Sequence, residues 1–365
     1  MRLLLAAGGT GGHVFPALAL AAEAKAAGHQ ATLLGASDGP EAGWAADAKV
    51  PFVGVPAGKW DRQRPDPRQA WRAVAGVRHA VRAVRRQRPD AVVGFGGFAS
   101  FPGCAAAAWT GTPLVLHEGN AFPGRVTRWF ARRAACVALA LPEAAPRLAA
   151  APAIVTVGFP VREARHDPAA AREALGLPAG GVVTWVMGGS QGSAWLNAHA
   201  PEAYRTLDAS RRGTVLHAAG PRGHDDVAVR VDDLAAYHVV PFADATLAWS
   251  AADLAITRAG VGTLSEAAYH GVPLVMVPLP SAAEDHQRHN ARAVRDAGGG
   301  RIAEQGDPQA LSVAWAALLD PEARHLAADA IGRRSPRGAA ARLLAVVEGA
   351  ADPARPATTR RKDTT

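Results

Sequence analysis

The sequence predicts an α/β chain built from two doubly wound, Rossmann-like domains with parallel sheets. Apolar runs of strand length alternate with alanine-rich helical patterns along the chain. The runs do not alternate apolar with polar residues, which is typical of parallel strands covered by helices on both faces. A strand, a glycine loop and a helix also follow one another twice, at residues 3–13 and 182–197. We therefore expect two such domains facing a central cleft, with ligands at the carboxyl ends of the strands.

The predicted strands follow in order along both halves of the chain. Those of the first half read RLLLAA, QATLLGA, AVVGFG, TPLVLHE and ACVALA, and those of the second half read VVTWVMG, TVLHAAG, HVVPF, LAITRA and PLVMVP. Glycine and prolines interrupt the pattern at TVGFPVREARHDP, which indicates the join between the domains. The predicted division is a first domain over 1–157, a second over 158–335, a helix over 336–350 that can return to the first domain, and a disordered polar tail over 351–365.

Charge and cysteine content narrow the class of protein. The net charge is +8, with 18 basic against 9 acidic residues over 1–160 and 22 against 23 over 161–365. The excess positive charge is therefore in the first half, and we expect an anionic partner to bind there. The two cysteines, Cys104 and Cys136, form no CxxC pair, which argues against a disulfide scaffold or a structural zinc site and for a reducing cytoplasm. Glycines and prolines break the uncharged stretch 91–116, which favours a strand, a loop and a short helix over a membrane span.

The first glycine loop, GGTGG at residues 8–12, joins a strand to a helix. Such a loop presents backbone N–H groups and the positive end of a helix dipole, which suit a phosphate. The alternative is a tight turn without a ligand. A dinucleotide site would need an acid at the end of the second strand to hold the ribose hydroxyls, but the first acid there, Asp38, lies beyond the strand end LLGAS. The sequence therefore disfavours an NAD site.

The second half carries a better equipped set of polar residues. Its glycine loop is GGSQG at residues 188–192, where Ser190 adds a hydroxyl donor. The segment RAGVGTLSE places Glu266 in the predicted first turn of a helix, where the carboxylate could accept from two ribose hydroxyls or simply favour the helix dipole. The segment EDHQRHN follows a buried strand, and its His286, Gln287 and Asn290 suit either the hydroxyls of a sugar or an ordinary polar helix start.

Six motifs, taken together, carry a family resemblance. In order they are GGTGGHVFPALALA, GFGGFASFPG, LHEGNAFPGRVTRWFA, GGSQGSAWLN, RAGVGTLSEAAYHGVPLVMVPLP and EDHQRHNA. Over residues 1–345 the chain resembles the MurG family, the UDP-N-acetylglucosamine:lipid I N-acetylglucosaminyltransferases of peptidoglycan synthesis. The resemblance implies the GT-B fold, with UDP-GlcNAc bound by the second domain and the lipid-linked acceptor by the first. It also implies inverting transfer of GlcNAc to the C4 hydroxyl of MurNAc in lipid I, giving lipid II, with no metal and no cofactor.

The resemblance also implies roles for individual residues. Those matching donor-site positions are Thr10, Gly11, Gly12, Asn120, Arg162, Ser190, Gln191, Gly192, Asn197, Phe242, Ala243, Gly260, Thr263, Leu264, Ser265, Glu266, Gln287 and Asn290. Those matching the acceptor region are Gly8, Gly9, Gly96, Gly97, His117, Glu118, Arg78, Arg82 and Arg85. Three positions depart from the family pattern, since Phe98 replaces a tyrosine, Gly119 a glutamine and Phe159 an asparagine. These departures bear on the acceptor pocket more than on the donor site.

His13 directly follows the first glycine loop and is the predicted catalytic base. Inverting transfer is one displacement at the anomeric carbon, and the acceptor hydroxyl needs a base to take its proton. A neutral imidazole, with a reference pKa of about 6.5, suits that task near neutral pH. His13 could instead cap the helix or bind a phosphate, and His117 is the rival base. Loop amides and a helix dipole can meet the charge that grows on UDP, and the second half contains no DxD motif for a metal.

A basic segment over residues 59–88 holds ten basic and two acidic residues. Two helical faces are predicted there, one of Val74, Val77, Val81 and Val84 and one of Arg78, Arg82 and Arg85. The plain interpretation is a surface helix with its valines in the core. The added hypothesis is that the arginines contact the anionic cytoplasmic leaflet of the cell membrane, or the pyrophosphate of the acceptor, in a peripheral protein. Nucleic acid is disfavoured, because the arginines are not interleaved with aromatic residues and no nucleic-acid motif occurs.

Other functions share parts of this pattern. They are a GT-B transferase with another lipid acceptor, a UDP-GlcNAc epimerase of similar architecture, and a nucleotide-sugar-binding subunit without catalysis. The GGTGGH block and the basic first half favour a lipid-linked acceptor, and the presence of both loops with His13 and Glu266 favours catalysis. Proteins of cell-wall synthesis are expected as further partners.

Overall fold

The structure of the 365-residue chain is a computed structural model that describes residues 1–58, 66–189 and 192–352. The chain divides into two compact units. The first comprises Met1–Val161 together with the segment that begins at Pro336, and the second comprises Arg162–Ser335. The division after Val161 falls four residues beyond the boundary expected from the sequence. Most of the predicted tail, from residue 353 onward, lies outside the described residues.

The first unit contains a seven-stranded sheet whose paired strands all run parallel. Its strands are β1 (Arg2–Ala6), β2 (Gln30–Ala36), β3 (Phe52–Val55), β4 (Ala91–Gly94), β5 (Leu114–Glu118), β6 (Cys136–Leu139) and β7 (Ile154–Thr156). They lie side by side in the order β3-β2-β1-β4-β5-β6-β7. All five residues of β5 are buried, which confirms a sheet covered on both faces. The short edge strands β3 and β7 were not among the strands predicted.

Helices cover both faces of this sheet. They are α1 (Gly11–Ala26), α2 (Glu41–Asp47), α3 (Pro67–Gln87), α4 (Phe101–Thr110), α5 (Arg125–Phe130) and, from the far end of the chain, α14 (Ala339–Ala351). α14 packs against α1, and its Leu343 and Val347 join the core cluster of β1. Arg342 fixes the approach of this helix, because its Nε donates to the carbonyl of Val157 at 3.0 Å. The C-terminal helix is therefore part of the first unit.

The second unit contains a six-stranded parallel sheet of the same kind. Its strands are β8 (Val183–Met187), β9 (Thr214–Ala218), β10 (Tyr237–Val240), β11 (Leu254–Thr257), β12 (Leu274–Met276) and β13 (Gly300–Ile302), in the order β10-β9-β8-β11-β12-β13. Its helices are α6 (Pro168–Ala174), α7 (Ala194–Thr206), α8 (His224–Arg230), α9 (Ala245–Ala251), α10 (Val261–His270), α11 (His286–Asp296), α12 (Pro308–Leu319) and α13 (Pro321–Gly332). In each unit the loops that follow adjacent parallel strands lie at the same edge of the sheet, the carboxyl edge.

Helix α3 differs from its predicted faces. Val84 is buried, but Val74 is 49% exposed and the buried stripe is completed by small residues, Gly76 and Ala80. The reason is close packing, since any side chain on Gly76 would overlap the carbonyl of Pro56. Residues 59–65 of the basic segment lie outside the described part of the chain. Among the helices that the structure describes, none combines the length and the apolar composition that a membrane span requires.

Candidate active site

The loop between β1 and α1 presents His13 in the first turn of α1. The Nδ1 atom of His13 lies 3.0 Å from the Thr10 hydroxyl oxygen. The ring also lies against the glycine pair after β4, because a Cβ on Gly97 would be 3.0 Å from Nδ1 and one on Gly96 would be 3.3 Å from Cδ2. Both glycines have positive φ, of 83° and 73°, which a larger residue adopts only with strain. If Nδ1 carries the proton and donates to Thr10, Nε2 is the basic nitrogen of the ring.

Glu41, which the sequence analysis did not single out, lies beneath this loop. It is the first residue of α2 and is fully buried. Its Oε1 accepts the backbone N–H of Gly9 at 2.7 Å, and Oε2 has no hydrogen-bond partner among the described residues. A side chain on Gly8 or Gly39 would overlap the carboxylate. An internal carboxylate therefore takes one of the amides that a bound anion would otherwise use, and the glycines around Glu41 were the only signal of it in the sequence.

His117, the rival candidate for the base, lies in the core of the first unit. The ring is 1% exposed, and its Nε2 lies 3.1 Å from the carbonyl oxygen of Gly158. The rings of Phe95 and Phe159 pack against it, with centroids 5.5 and 5.8 Å away. Burial lowers the pKa of His117 to about 4 and outweighs the opposite effect of the carbonyl. His117 is thus a neutral core residue, and Phe159, one of the three departures, forms part of its enclosure.

Glu118 shapes the loop that follows β5. Its side chain accepts the backbone N–H groups of Asn120 and Gly124, each at 3.0 Å, and the amide of the Asn120 side chain at 3.4 Å. Burial raises the pKa of Glu118, although these hydrogen bonds and one with Thr127 act to lower it. His117 and Glu118 do not form a pair, because neighbouring residues of a strand point to opposite faces. Phe98, another of the three departures from the family pattern, packs its ring against Gly9.

The glycine loop of the second unit lies between β8 and α7. Gly192 has φ +73°, and a side chain there would overlap the carbonyl of Ala219. Gly189 has φ +93°, and no atom of the described residues lies within 4 Å of a Cβ placed there. Ser193 caps α7 by accepting the N–H of Leu196 at 3.3 Å. The two predicted ligands Ser190 and Gln191 lie outside the described residues.

Asn197, expected to line the ligand site, binds within the second unit instead. Its Nδ2 donates to the carbonyl of Ala219 at 2.8 Å, and its Oδ1 lies 3.2 Å from Nε2 of His217. His217 is fully buried, and desolvation lowers its pKa to about 3. Asn197 therefore holds the loop after β9 next to the glycine loop.

Glu266 lies one turn deeper in α10 than predicted. The helix begins at Val261 and has no acidic residue in its first turn, so a favourable charge at the helix end does not account for Glu266. Its Oε2 accepts the indole N–H of Trp249, which lies on α9, at 3.0 Å. Burial raises the pKa of Glu266, partly offset by the tryptophan bond. Trp249 was not predicted, because no sequence pattern links the two helices.

The other residues around α10 divide into exposed and enclosed groups. Gly260 begins the helix and has open space in front of it, whereas Leu264 and Ser265 are buried and Thr263 is half-buried. Phe242 is 61% exposed, and Ala243 beside it is half-buried.

Arg162 and Asp244 interact near the beginning of α9. Asp244 caps this helix by accepting the N–H groups of Thr246 and Leu247 at 2.8 and 3.2 Å. The pKa of Asp244 is lowered mainly by the Thr246 hydroxyl, with a smaller contribution from the exposed Arg162.

The segment after β12 is a structural bridge. Oε1 of Gln287 accepts the N–H groups of Ala259 and Leu279 at 3.2 and 3.0 Å, which joins the loops after β11 and β12. Asn290 is fully buried, and its Nδ2 donates to the carbonyl of Ala259 at 3.2 Å. Asn290, which the sequence predicts to contact the sugar, has no exposed surface in this structure and holds the loop after β11.

Comparisons with known proteins define the class and then the family. Residues 3–139 match the model of the glycosyltransferase family 28 N-terminal domain, and residues 183–332 match that of the C-terminal domain. The crystal structure of Acinetobacter baumannii MurG is similar with a TM-score of 0.78 and 29% identity, over 95% of this chain and 99% of that one. Two Rossmann-like units with glycine loops at the carboxyl edges of parallel sheets thus define a glycosyltransferase of the GT-B fold.

Two curated relatives narrow the family further. Both are named UDP-N-acetylglucosamine--N-acetylmuramyl-(pentapeptide) pyrophosphoryl-undecaprenol N-acetylglucosamine transferase. The Deinococcus deserti protein is 46% identical over 95% of this chain and 98% of its own length. The Thermus thermophilus protein is 43% identical over 95% of this chain and 99% of its own length. The chain belongs to the MurG family of glycosyltransferases.

The buried carboxylate under the first loop leads to a testable expectation. Replacing Glu41 with alanine removes the acceptor for the Gly9 N–H, whereas glutamine keeps an oxygen in the same place. Because a hydrogen bond to a charged group contributes about 1.5–3 kcal/mol, amide hydrogen exchange over residues 8–13 should rise about tenfold or more in Glu41→Ala. Glu41→Gln should exchange nearly as slowly as the wild type, and peptides from α10 should not change. Equal exchange of the loop in the alanine variant and the wild type would mean that Glu41 does not hold it.

Proposed function

We propose that the chain transfers GlcNAc from UDP-GlcNAc to the C4 hydroxyl of MurNAc in lipid I, giving lipid II, with inversion and without a metal. The observation that carries the proposal is a histidine on the glycine loop of one unit together with a second glycine loop and a half-buried carboxylate, Glu266, in the other. The names of the relatives at 43–46% identity support the same reaction. A GT-B transferase with another lipid acceptor remains the alternative, since the three departures fall in the acceptor-side unit.

The donor site is proposed at the carboxyl edge of the second sheet. Gly260 directly precedes α10 and Gly189 lies in the loop before α7, and no atom of the described residues lies within 4 Å of a Cβ placed on either glycine. A diphosphate there would be bound by N–H groups and helix dipoles. Glu266 would accept the two ribose hydroxyls, since Trp249 occupies only one of its carboxylate oxygens. Charge developing on the UDP leaving group would then be stabilised by groups already oriented for it.

His13 is proposed as the general base. The glycine pair at Gly96 and Gly97 gives its ring room, and the Thr10 hydroxyl holds Nδ1, so the Nε2 lone pair would receive the proton of the acceptor hydroxyl. Burial of His117 supports this choice, because a ring with a pKa of about 4 enclosed in the core cannot approach a substrate.

UDP binding tests the donor site. Glu266→Ala should weaken UDP binding, measured by titration calorimetry, by about tenfold or more, because the ribose hydroxyls lose a charged acceptor. Since burial raises the pKa of Glu266, wild-type affinity should fall on acidification at a pH above that expected for an exposed glutamate, and the variant should lack this fall.

Glu202→Ala, an exposed acid of the same unit, is the matched control and should bind UDP normally. Unchanged affinity in Glu266→Ala would remove the carboxylate from the donor site.

Transfer of radiolabelled GlcNAc to a short-chain lipid I analogue tests the reaction and the base together. The wild type should turn over in the presence of EDTA. His13→Ala should lower kcat by about 10²–10⁴-fold, the usual contribution of a positioned proton acceptor, and should lose the acidic limb of the rate–pH profile. UDP affinity should hardly change.

His117→Ala is the comparison, and it should lower thermal stability while keeping the shape of the pH profile. A normal kcat in His13→Ala would assign the base elsewhere, and loss of turnover in EDTA that Mg²⁺ restores would contradict the metal-free mechanism.

A peripheral site on the cytoplasmic leaflet is proposed for the first unit. Along α3, five residues at helical spacing are exposed, namely Trp71, Val74, Arg78, Arg82 and Arg85. α4 packs against α3, and α5 against α4, and these helices add the exposed Trp109 and Trp129. Tryptophans favour the membrane interface and arginines favour anionic head groups, so their combination suits the surface on which a lipid-linked acceptor is found.

Replacing Arg78, Arg82 and Arg85 with glutamine should weaken binding to anionic vesicles, measured by sedimentation. Each basic residue contributes about 1 kcal/mol at best, so the partition coefficient should fall by up to about a hundredfold at low salt, and less at high salt. UDP affinity should be unchanged. The matched control replaces three exposed arginines of the second unit, Arg222, Arg230 and Arg301, and should bind vesicles as the wild type does. Equal sedimentation of both triple variants would limit α3 to a structural role.

A further inference from the structure

A cavity of about 340 Å³ lies in the second unit, away from its glycine loop. Two of the lining residues lie just before strands. Asp253 directly precedes β11, and Val272 lies two residues before β12. The cavity is therefore at the amino-terminal edge of the sheet, whereas the proposed donor site is at the carboxyl edge. Its volume is within the range of small-molecule sites.

The charged lining of this cavity is mostly cationic. Three arginines line it, Arg165, Arg172 and Arg324, against a single acid, Asp253. Arg172 is compensated, because its Nη2 binds Asp253 at 2.8 Å and its other nitrogens bind carbonyls. Arg165 and Arg324 have no ion pair within the described residues, so two positive charges face the cavity without an acidic partner.

Both of these arginines are held in place but keep donors available. Nη2 of Arg165 donates to the carbonyl of His270 at 3.1 Å. Nη1 of Arg324 donates to the carbonyl of Leu319 at 2.9 Å, which ends α12. A guanidinium has five N–H groups, and carbonyls satisfy only some of them here. The cavity thus presents oriented guanidinium groups, the arrangement that binds a phosphate through paired hydrogen bonds.

His270 adds a polar side chain to the lining of the cavity. It lines the cavity, is only 6% exposed, and its Nδ1 has no hydrogen-bond partner among the described residues. A buried polar atom without a partner is costly, and most such atoms in folded proteins are satisfied by protein, water or a ligand. Burial, and next the charge of Arg165, lower the pKa of His270 to about 4, so a neutral ring can donate one hydrogen bond without adding charge.

We propose that this cavity is a second anion-binding site, which takes a small phosphate-bearing molecule held by Arg165, Arg324 and His270. The proposal is independent of the donor chemistry, because none of these three residues belongs to the proposed donor site. Trp249 connects the two places physically. Its indole lines the cavity, its ring lies against that of His270, and its N–H donates to Glu266. The indole N–H of Trp249 is therefore a local reporter of occupancy.

Inorganic pyrophosphate is the probe for this site. With the proposed donor site saturated by UDP, titration into the full-length chain labelled with ¹⁵N-tryptophan should shift the indole signal of Trp249, assigned by its loss in Trp249→Phe. Calorimetry under the same conditions should give the dissociation constant. Arg165→Gln combined with Arg324→Gln should raise that constant about tenfold or more and abolish the shift. His270→Phe keeps a ring against Trp249, and it should weaken binding by a smaller factor even if the arginine variant folds poorly.

Arg230→Gln, an exposed arginine of the same unit outside the cavity, should bind as the wild type does. No shift of the Trp249 signal, or binding that survives in both cavity variants while UDP is present, would overturn the site. Flotation with phosphatidylglycerol vesicles identifies the source of the phosphate. Flotation lost in the cavity variants indicates a lipid head group, and flotation retained while pyrophosphate binding is lost indicates a soluble phosphate.

Discussion

Crowding at the carboxyl ends of the parallel strands is the constraint on which the rest of each unit depends. Every parallel strand must be followed by a crossover helix, so the chain turns sharply where the strands end. Side chains do not fit there: one on Gly97 would overlap the carbonyl of Gly8, and one on Gly192 would overlap that of Ala219. Glycine at these positions leaves backbone amides and helix ends as the groups that face a ligand. The few side chains that enter this space, His13 among them, are therefore the candidates for chemistry.

Three glutamates at these edges, the buried Glu41 and Glu118 and the half-buried Glu266, use the same functional group in different ways. Glu41 accepts the N–H of Gly9, and Glu118 accepts those of Asn120 and Gly124, so both carboxylates fix the course of a loop. Glu266 accepts only the indole N–H of Trp249 among the described residues, and its second oxygen is left for other donors. Burial raises the pKa of both Glu118 and Glu266. The oxygens of Glu118 already accept backbone N–H groups, whereas Glu266 accepts only a side-chain N–H among the described residues. This difference makes Glu266 the ligand candidate.

The two parallel sheets could be predicted from the sequence, because mainly apolar runs such as LVLHE and LAIT indicate strands that are buried on both faces. The sequence was insufficient for β3 and β7, because these edge strands have only four and three residues and form no apolar run long enough to stand out. It also misassigned α3, because Gly76 and Ala80 make the closest contacts and hydrophobicity does not reveal them. At the site, motifs located His13 and Glu266, but the partners Glu41 and Trp249 come from other elements and no local pattern predicts such contacts.

Trp249 contacts both Glu266, the proposed donor-site carboxylate, and the cationic cavity. A ligand that displaced the indole would alter the hydrogen bond that orients Glu266, and a ribose that pulled on Glu266 would act on the same indole. Linkage requires that any such effect be equal in both directions: the factor by which a cavity ligand changes UDP affinity is the factor by which UDP changes the affinity of the cavity. The packing around Trp249, which is 2% exposed, limits its movement to small displacements, so the shared hydrogen bond rather than a change in fold is the element that would carry the coupling.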